Sequence, residues 1–509
     1  MKKLIQFLFH RVVLVGLMIF VQILILVVAM VKFQHSFVYF YAICEFLSLM
    51  VVLYIINDKS NPGYKIAWIV PILLLPIFGG MFYLLFGGNK TGKYTRRKMD
   101  RMAQKIAEYR DINNDILDEI HADSPDAALQ SAYIQNYAYS PPYHNASATY
   151  LPLGEIKFSY LLEELQKAQH FIFLEYFILE EGIMWNSILD ILKEKVSQGV
   201  DVRVIYDDLG CAMTLPYQYH KKLRSYGIQC CVFNPFIPIM SARLNNRDHR
   251  KIVVIDGNTA FTGGINLADE YINAYEKHGH WKDSSLMIKG EAVWSFTVMF
   301  LSMWDYLNNV EEDFTKFAPT LPPPDETDGY IQPYTDNPLD HEPVGETVYL
   351  NLINRCKRYV YITTPYLIID NEMMTALNNA AKSGIDVRII TPHIADKWFV
   401  HAVTRAYYEP LVESGVKIYE YTPGFIHAKT FVADDEYATV GSINLDYRSL
   451  YLHFECGAWL YHSKVVLDVK NDFEKTLTVC EEITLEKCRR IRWYRRFVRS
   501  ILRAFAPLM

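Results

Sequence analysis

The 509-residue sequence predicts an α/β protein of two similar lobes, each a mixed sheet flanked by helices, related by a pseudo-two-fold axis and preceded by an N-terminal transmembrane helical segment. Three observations predict it. Apolar runs alternate with helical periods on both sides of a Pro-rich join, as in sheets covered by helices on both faces. The stretches Gly199-Val-Asp-Val-Arg-Val-Ile205 and Gly384-Ile-Asp-Val-Arg-Ile-Ile390 nearly coincide, which an internal duplication explains better than chance. The apolar excess of a chain that is 51% hydrophobic lies at its amino end, ahead of a globular part large enough for two cores.

Residues 1–89 form the expected membrane segment. Val12 to Val31 is uncharged and apolar but for Gln22, Phe37 to Ile56 carries one Glu, and Ala67 to Phe86 contains Pro71, Pro76 and Gly79-Gly80. Each is long enough to span a bilayer, so two or three spans are expected. A cleaved signal peptide is disfavoured because the first run is too long and no small-residue cleavage site comes after it. Lys90, Lys93, Arg96, Arg97, Lys98, Arg101, Lys105 and Arg110 place the remainder of the chain in the cytoplasm by the positive-inside rule. Three full spans leave Lys2, Lys3 and Arg11 outside, a conflict removed if one segment only dips into the bilayer. Residues 90–139 read as a charged juxtamembrane stalk, ended by Ser140-Pro141-Pro142.

Residues 140–318 are the first lobe. A helix over Lys157 to Gln169, an apolar run from His170 to Ile178, a helix to about Gln198 and a strand over Val200 to Tyr206 make a β-α-β unit. Residues 319–345 are a Pro-rich linker containing Pro322-Pro323-Pro324, in which Tyr330 to Tyr334 is a candidate strand. The second lobe, 346–484, repeats the theme with a helix over Glu346 to Lys357, a strand over Tyr359 to Ile362, a helix over Asn371 to Lys382 and a strand over Val387 to Ile390. Residues 485–509 are a basic amphipathic helix, with Arg492, Arg495, Arg496 and Arg499 among Trp493, Phe497 and Ile501. In a chain of net charge −6 this positive charge is local and suits an anionic membrane surface; a nucleic-acid-binding role is disfavoured by the anchor that keeps it at the bilayer. None of the eight cysteines falls in a Cys-x-x-Cys pair, so neither a zinc site nor a disulfide framework is expected.

The chemistry lies in a motif written twice. His249-Arg-Lys251, Asp256 and Gly263-Gly264-Ile265-Asn266 return, at identical spacing, as His427-Ala-Lys429, Asp434 and Gly441-Ser442-Ile443-Asn444. A lone His-x-Lys is an ordinary solvated strand edge; two matched copies are a site. His and Lys two apart share a strand face. With Gly257-Asn258 as a two-residue turn, Asp256 pairs with Thr259 and His249 falls opposite Asn266; with Asp435-Glu436 as the turn, Asp434 pairs with Tyr437 and His427 falls opposite Asn444. Each aspartate then reads as a turn residue. Small residues before each Asn let a ligand approach the backbone.

The paired motifs resemble those of the phospholipase D superfamily. The stretches NRDHRKIVVIDGNTAFTGGINLADEY, YITTPYLIIDNEMM and EYTPGFIHAKTF resemble bacterial cardiolipin synthases, and the resemblance runs from about Ala42 over nearly the whole chain. It implies two phospholipase D-type lobes and a multi-pass protein of the bacterial plasma membrane with a cytoplasmic catalytic part. It also implies one site formed by His249, Lys251, Asp256, His427, Lys429 and Asp434. There one phosphatidylglycerol donates a phosphatidyl group to a second, giving cardiolipin and glycerol through a phosphohistidine; water or another alcohol as acceptor gives a phospholipase D or another phosphatidyltransferase. His249 is the implied nucleophile and His427 the acid and base. Lys251, Lys429, Asn266 and Asn444 hold the phosphoryl oxygens, while Glu455 and, by its place before an apolar run, Asp283 orient the histidines. The family commonly has Asn where this chain has His453, and no role is assigned to it or to the loop histidine His393. Cationic and donor side chains fill the place of a metal, and there is no carboxylate cluster for Mg²⁺, so neither metal nor cofactor is expected.

Overall fold

The computed structural model describes residues 37–74, 93–109, 114–235, 245–322, 324, 326–340 and 342–508, with isolated positions before residue 37 and between 75 and 92. In the first sheet the strands lie in the order Ala146–Leu151, Ser285–Gly290, Thr259–Gly263, Lys251–Ile255, Phe171–Tyr176, Asp201–Asp207, Gln229–Phe233. In the second the order is Tyr330–Asp336, His453–Tyr461, Tyr437–Gly441, Thr430–Ala433, Tyr359–Thr363, Asp386–Pro392, Lys417–Tyr421, Cys480–Ile483. Apart from the last edge strand, order and direction repeat: neighbours are antiparallel up to Phe171–Tyr176 and Tyr359–Thr363 and parallel beyond. The first parallel step in each lobe crosses over through a helix, Ile183–Ser197 or Asn371–Lys382, as parallel neighbours require.

Alternation along the strands divides the core. Ile252 and Val254 join a central cluster shared with Val432, Ala438 and Ala458 of the second lobe, while Val253 and Ile255 join Leu161, Leu165 and Ile188 on the outer side. The second lobe mirrors this, Phe431 and Ala433 packing outward with Val348, Leu352 and Leu377.

The motif hairpins form, one residue out of the expected register. Ile255 pairs with Thr259 and Ala433 with Tyr437, so Asp256 and Asp434 pair with nothing across the strand. The turns centre on Asp256-Gly257 and Asp434-Asp435, all at positive φ (52°, 68°, 57° and 64°), closed by Asn258 N–H to Ile255 O and Glu436 N–H to Ala433 O. The cause is long-range. The Asp256 carboxylate accepts from the N–H groups of Gln169, His170 and Phe171 at 2.7–2.8 Å, and that of Asp434 from Lys357, Arg358 and Tyr359 at 2.6–3.0 Å. Each aspartate thereby fixes the start of the neighbouring strand, and the ladder ends before His249 can face Asn266.

Three segments differ from expectation. Of residues 90–139, expected as a stalk, the described stretches 93–109 and 114–139 lie along the lobes: Lys105 pairs with Asp305 at 2.5 Å, and Ala127, Ala128 and Ile134 pack with Val348 and Tyr349. In the linker 319–345 the candidate strand forms but runs two residues further than expected, Tyr330–Asp336, and it belongs to the second sheet. The basic end is two helices, Leu485–Arg489 and Trp493–Ala504; the chain turns at Arg490–Arg492, so Cys488 enters the second core while Trp493, Phe497 and Ile501 stay exposed.

Ahead of the lobes, the 21-residue helix Phe37–Asn57 packs Val52 and Ile55 against Trp68 and Ile72 of the helix Pro62–Leu74, leaving Ile43, Phe46, Leu47 and Ile56 exposed. Asn61, between these helices, donates to Asp370 and Tyr451 of the second lobe, each at 2.9 Å. Among the described residues no helix is long and apolar enough to cross a membrane. The expected span Val12 to Val31 and the second half of Ala67 to Phe86 lie largely outside the described residues.

Candidate active site

Two short strand pairs cross between the lobes and place the histidines. Arg247–Asp248 runs beside His453–Phe454 of the second lobe, and His249 N–H continues the ladder to Phe454 O at 2.9 Å. Gly424–Ile426 runs beside His280–Lys282 of the first lobe, and His427 N–H reaches Lys282 O at 2.7 Å. The register is the same in both. Each histidine therefore meets the carboxylate one residue further along the opposite lobe's strand.

His249 Nδ1 is 2.9 and 3.0 Å from the two oxygens of Glu455, and His427 Nδ1 is 2.7 Å from Asp283 Oδ2. With the carboxylates accepting, Nδ1 carries the proton in both rings and Nε2 is left for chemistry. Lys251 and Lys429 donate to the carbonyls of His249 and His427, and Lys429 Nζ lies 2.8 Å from His427 Nδ1. All six groups are buried.

That burial controls the charges. It drives the His249 imidazole well below its ordinary range, with Lys251, Lys429 and His427 adding to the effect. His427 is driven down to about 4 by burial and Lys429, against the opposing pull of Asp283. Burial lowers Lys251 to about 8 and Lys429 to about 7. For Asp283 burial opposes the charge, but Lys429 and His427 outweigh it and hold the carboxyl below its usual value. Charges of each motif act on the other, so the two motifs form one electrostatic site.

The remaining candidates divide. Asn266 accepts from Ile178 N–H at 3.1 Å and donates to Tyr271 Oη at 2.7 Å, whereas among the described residues the buried Asn444 Oδ1 has no partner. Asp256 and Asp434 sit at the hairpin tips, at the far end of the strand from the imidazoles. His393 is held 2.8 Å from Glu420, which also pairs with Arg405. His453 stands against His249, ring centroids 5.6 Å apart.

Sequence reasoning missed several neighbours. Trp281 and Tyr271 wall His427, at 5.5 and 5.6 Å between ring centroids, and Phe177 walls His249 at 5.0 Å. Lys157 is wholly buried behind the first motif, donating to Tyr176 Oη at 3.1 Å and Ile265 O at 3.0 Å; burial lowers it to about 7. Its spacing to Leu161 and Leu165 places it on the apolar stripe of its helix, a signal available in the sequence.

A duplicated fold that assembles a single histidine-lysine site from two halves is the architecture of the phospholipase D superfamily. The family model described as cardiolipin synthase, PLD-like domain, matches residues 161–304 and 349–477, and one described as phospholipase D-nuclease N-terminal matches residues 46–88. Cardiolipin synthases of Geobacillus thermodenitrificans and Halalkalibacterium halodurans are 34% and 33% identical, over 91% and 89% of this chain and 92% and 90% of theirs. An uncharacterized protein of Streptococcus mutans is 44% identical over 90% of this chain and 99% of its own. The chain belongs to the cardiolipin synthase family of the phospholipase D superfamily. Its fold is shared with the phosphatidylserine synthase of Haemophilus influenzae, with a TM-score of 0.55 and 16% identity over 74% of this chain and 97% of that one.

Proposed function

We propose that the protein is a cardiolipin synthase that transfers a phosphatidyl group from one phosphatidylglycerol to another. His249 Nε2 attacks phosphorus while the P–O bond to glycerol breaks, and protonated His427 gives its proton to the departing oxygen. The second phosphatidylglycerol then loses its hydroxyl proton to His427, its oxygen attacks phosphorus, and the P–N bond breaks. Both imidazoles are held neutral in the free site; the bound phosphodiester anion raises the pKa of His427 and makes it the acid. Lys251, Lys429 and the Asn444 amide donate to the phosphoryl oxygens, the last through its Nδ2–H, and Asn266 braces the loop beside them. The observation that carries this reading is the pair of cross-lobe contacts, His249 to Glu455 and His427 to Asp283, which occupy Nδ1 of each ring and leave Nε2 for the chemistry.

In the same proposal the site faces the cytoplasmic leaflet of the bacterial plasma membrane. The exposed apolar side of Phe37–Asn57, with further segments of residues 1–89, is set in the bilayer, and Trp493, Phe497 and Ile501 enter its surface among arginines that meet anionic head groups. A membrane-held acceptor outcompetes water because it is already concentrated at the site. Incubating the purified full-length protein with labelled phosphatidylglycerol tests the reaction. Label should pass into cardiolipin while free glycerol rises in step; phosphatidic acid as the dominant product would replace the synthase reading with a phospholipase D.

A further inference from the structure

Neither ring nitrogen of His453 has a hydrogen-bond partner among the described residues, although both are buried. A buried imidazole with no partner is costly unless something else fills its lone pair. His453 Nδ1 lies 3.8 Å from Glu455 Oε1, beyond hydrogen-bond reach, while that carboxylate touches His249 Nδ1 at 2.9 Å. One ligand atom from each of His249, His453 and Glu455 lies within 4.8 Å of the others. Tetrahedral Zn²⁺ with bonds near 2.1 Å needs ligand atoms about 3.4 Å apart, between the two contacts that Glu455 makes.

We propose that His249, His453 and Glu455 form a binding site for a zinc-like transition metal, and that occupancy silences the enzyme. Two imidazoles and one carboxylate suit Zn²⁺ and not Mg²⁺ or Ca²⁺, which prefer all-oxygen ligands. The inhibitory half rests on the proposed attack by His249 Nε2. A metal on Nδ1 moves the proton of the neutral ring to Nε2, which then has no lone pair for phosphorus, and it takes Glu455 from its orienting role. The second motif cannot do the same: the strand position equivalent to His453 beside His427 is Trp281.

Binding is measured on the full-length protein in detergent by competing Zn²⁺ against a chromophoric chelator. One Zn²⁺ per chain is expected, with affinity in His453→Asn and His249→Asn weakened by more than the roughly tenfold that even an outer contact costs. Zn²⁺ should raise the melting temperature of the wild type and not of either variant, a readout independent of turnover, and EDTA should reverse its inhibition of the wild type. Absence of stoichiometric binding, or unchanged affinity in His453→Asn, overturns the site. A raised KM for phosphatidylglycerol in His453→Asn with unchanged Zn²⁺ affinity assigns His453 to the head group and likewise rejects the metal. Binding that is intact without loss of activity rejects the inhibitory half and leaves the site.

Discussion

The two lobes share strand order, hairpin register and cross-lobe pairing, yet surround their histidines differently. Around His249 stand His453, Phe177 and a Glu455 that also accepts from Ser442; between His249 and Lys251, Arg250 is buried in ion pairs with Asp248 and Glu175. Around His427 stand Trp281, Tyr271 and the shorter Asp283; Ala428 takes the place of Arg250. Gly264 takes the place of Ser442, and a Cβ there would come within 2.2 Å of Asp283 Oδ1. Duplication preserved the backbone that brings the imidazoles together and left each setting free to specialise, one polar and braced by charge, the other walled by aromatic rings.

The largest effect comes from removing either imidazole. His249→Ala and His427→Ala should each lower turnover about 10⁴-fold or more. Rapid denaturation during turnover should trap acid-labile phosphatidyl label on His427→Ala and none on His249→Ala; the reverse pattern exchanges their roles.

The orienting carboxylates come next. Asp283→Asn and Glu455→Gln should each cost about 10²–10⁴-fold in kcat with little change in KM, because the imidazole loses its tautomer and its stabilising charge. Gly264→Ser should approach Asp283→Asn by displacing that carboxylate, while Ser442→Gly loses one hydrogen bond to Glu455 and should be milder. Equal losses from both would remove the asymmetry.

The lysines separate the halves by pH. Lys429, near 7, is cationic below that pH and neutral above it; Lys251 behaves likewise near 8. The kcat/KM for phosphatidylglycerol should therefore fall as pH rises past about 7 and more steeply past about 8. Lys429→Arg should move the first limb upward and Lys251→Arg the second, read from full pH profiles.

The smallest effect on turnover belongs to the turn aspartates. Asp434→Asn and Asp256→Asn weaken three backbone contacts each and should cost about 1–3 kcal/mol of stability, more at the better buried Asp434, with activity per folded molecule nearly kept. Denaturation midpoints beside specific activity check this, and loss of activity at full stability would return the aspartates to the chemistry.

Much of the architecture was legible because the duplicated spacing and the strand-helix alternation are local patterns. The matched hairpins and the segments Asn371–Lys382 and Tyr359–Thr363 come directly from them. Register slipped by one because the turn is decided by Asp256 and Asp434 reaching distant backbone N–H groups, which no local turn rule contains. The crossing of each carboxylate to the other lobe's histidine was hidden for the same reason: Glu455 and Asp283 are far in sequence from the imidazoles they hold. Lys157 looks like any solvated helical lysine until its place on the apolar stripe is counted.

The exchanged strands also tie each half of the site to the other. In chain order the first lobe, with His249, Lys251 and Asp283, comes about 190 residues ahead of Glu455. Without the second lobe, the first therefore lacks the carboxylate that orients its own histidine. The strand His453–Tyr461 brings Glu455 to His249, and the strand His280–Lys282 leads into the Asp283 that holds His427, so neither lobe orients its imidazole without the other.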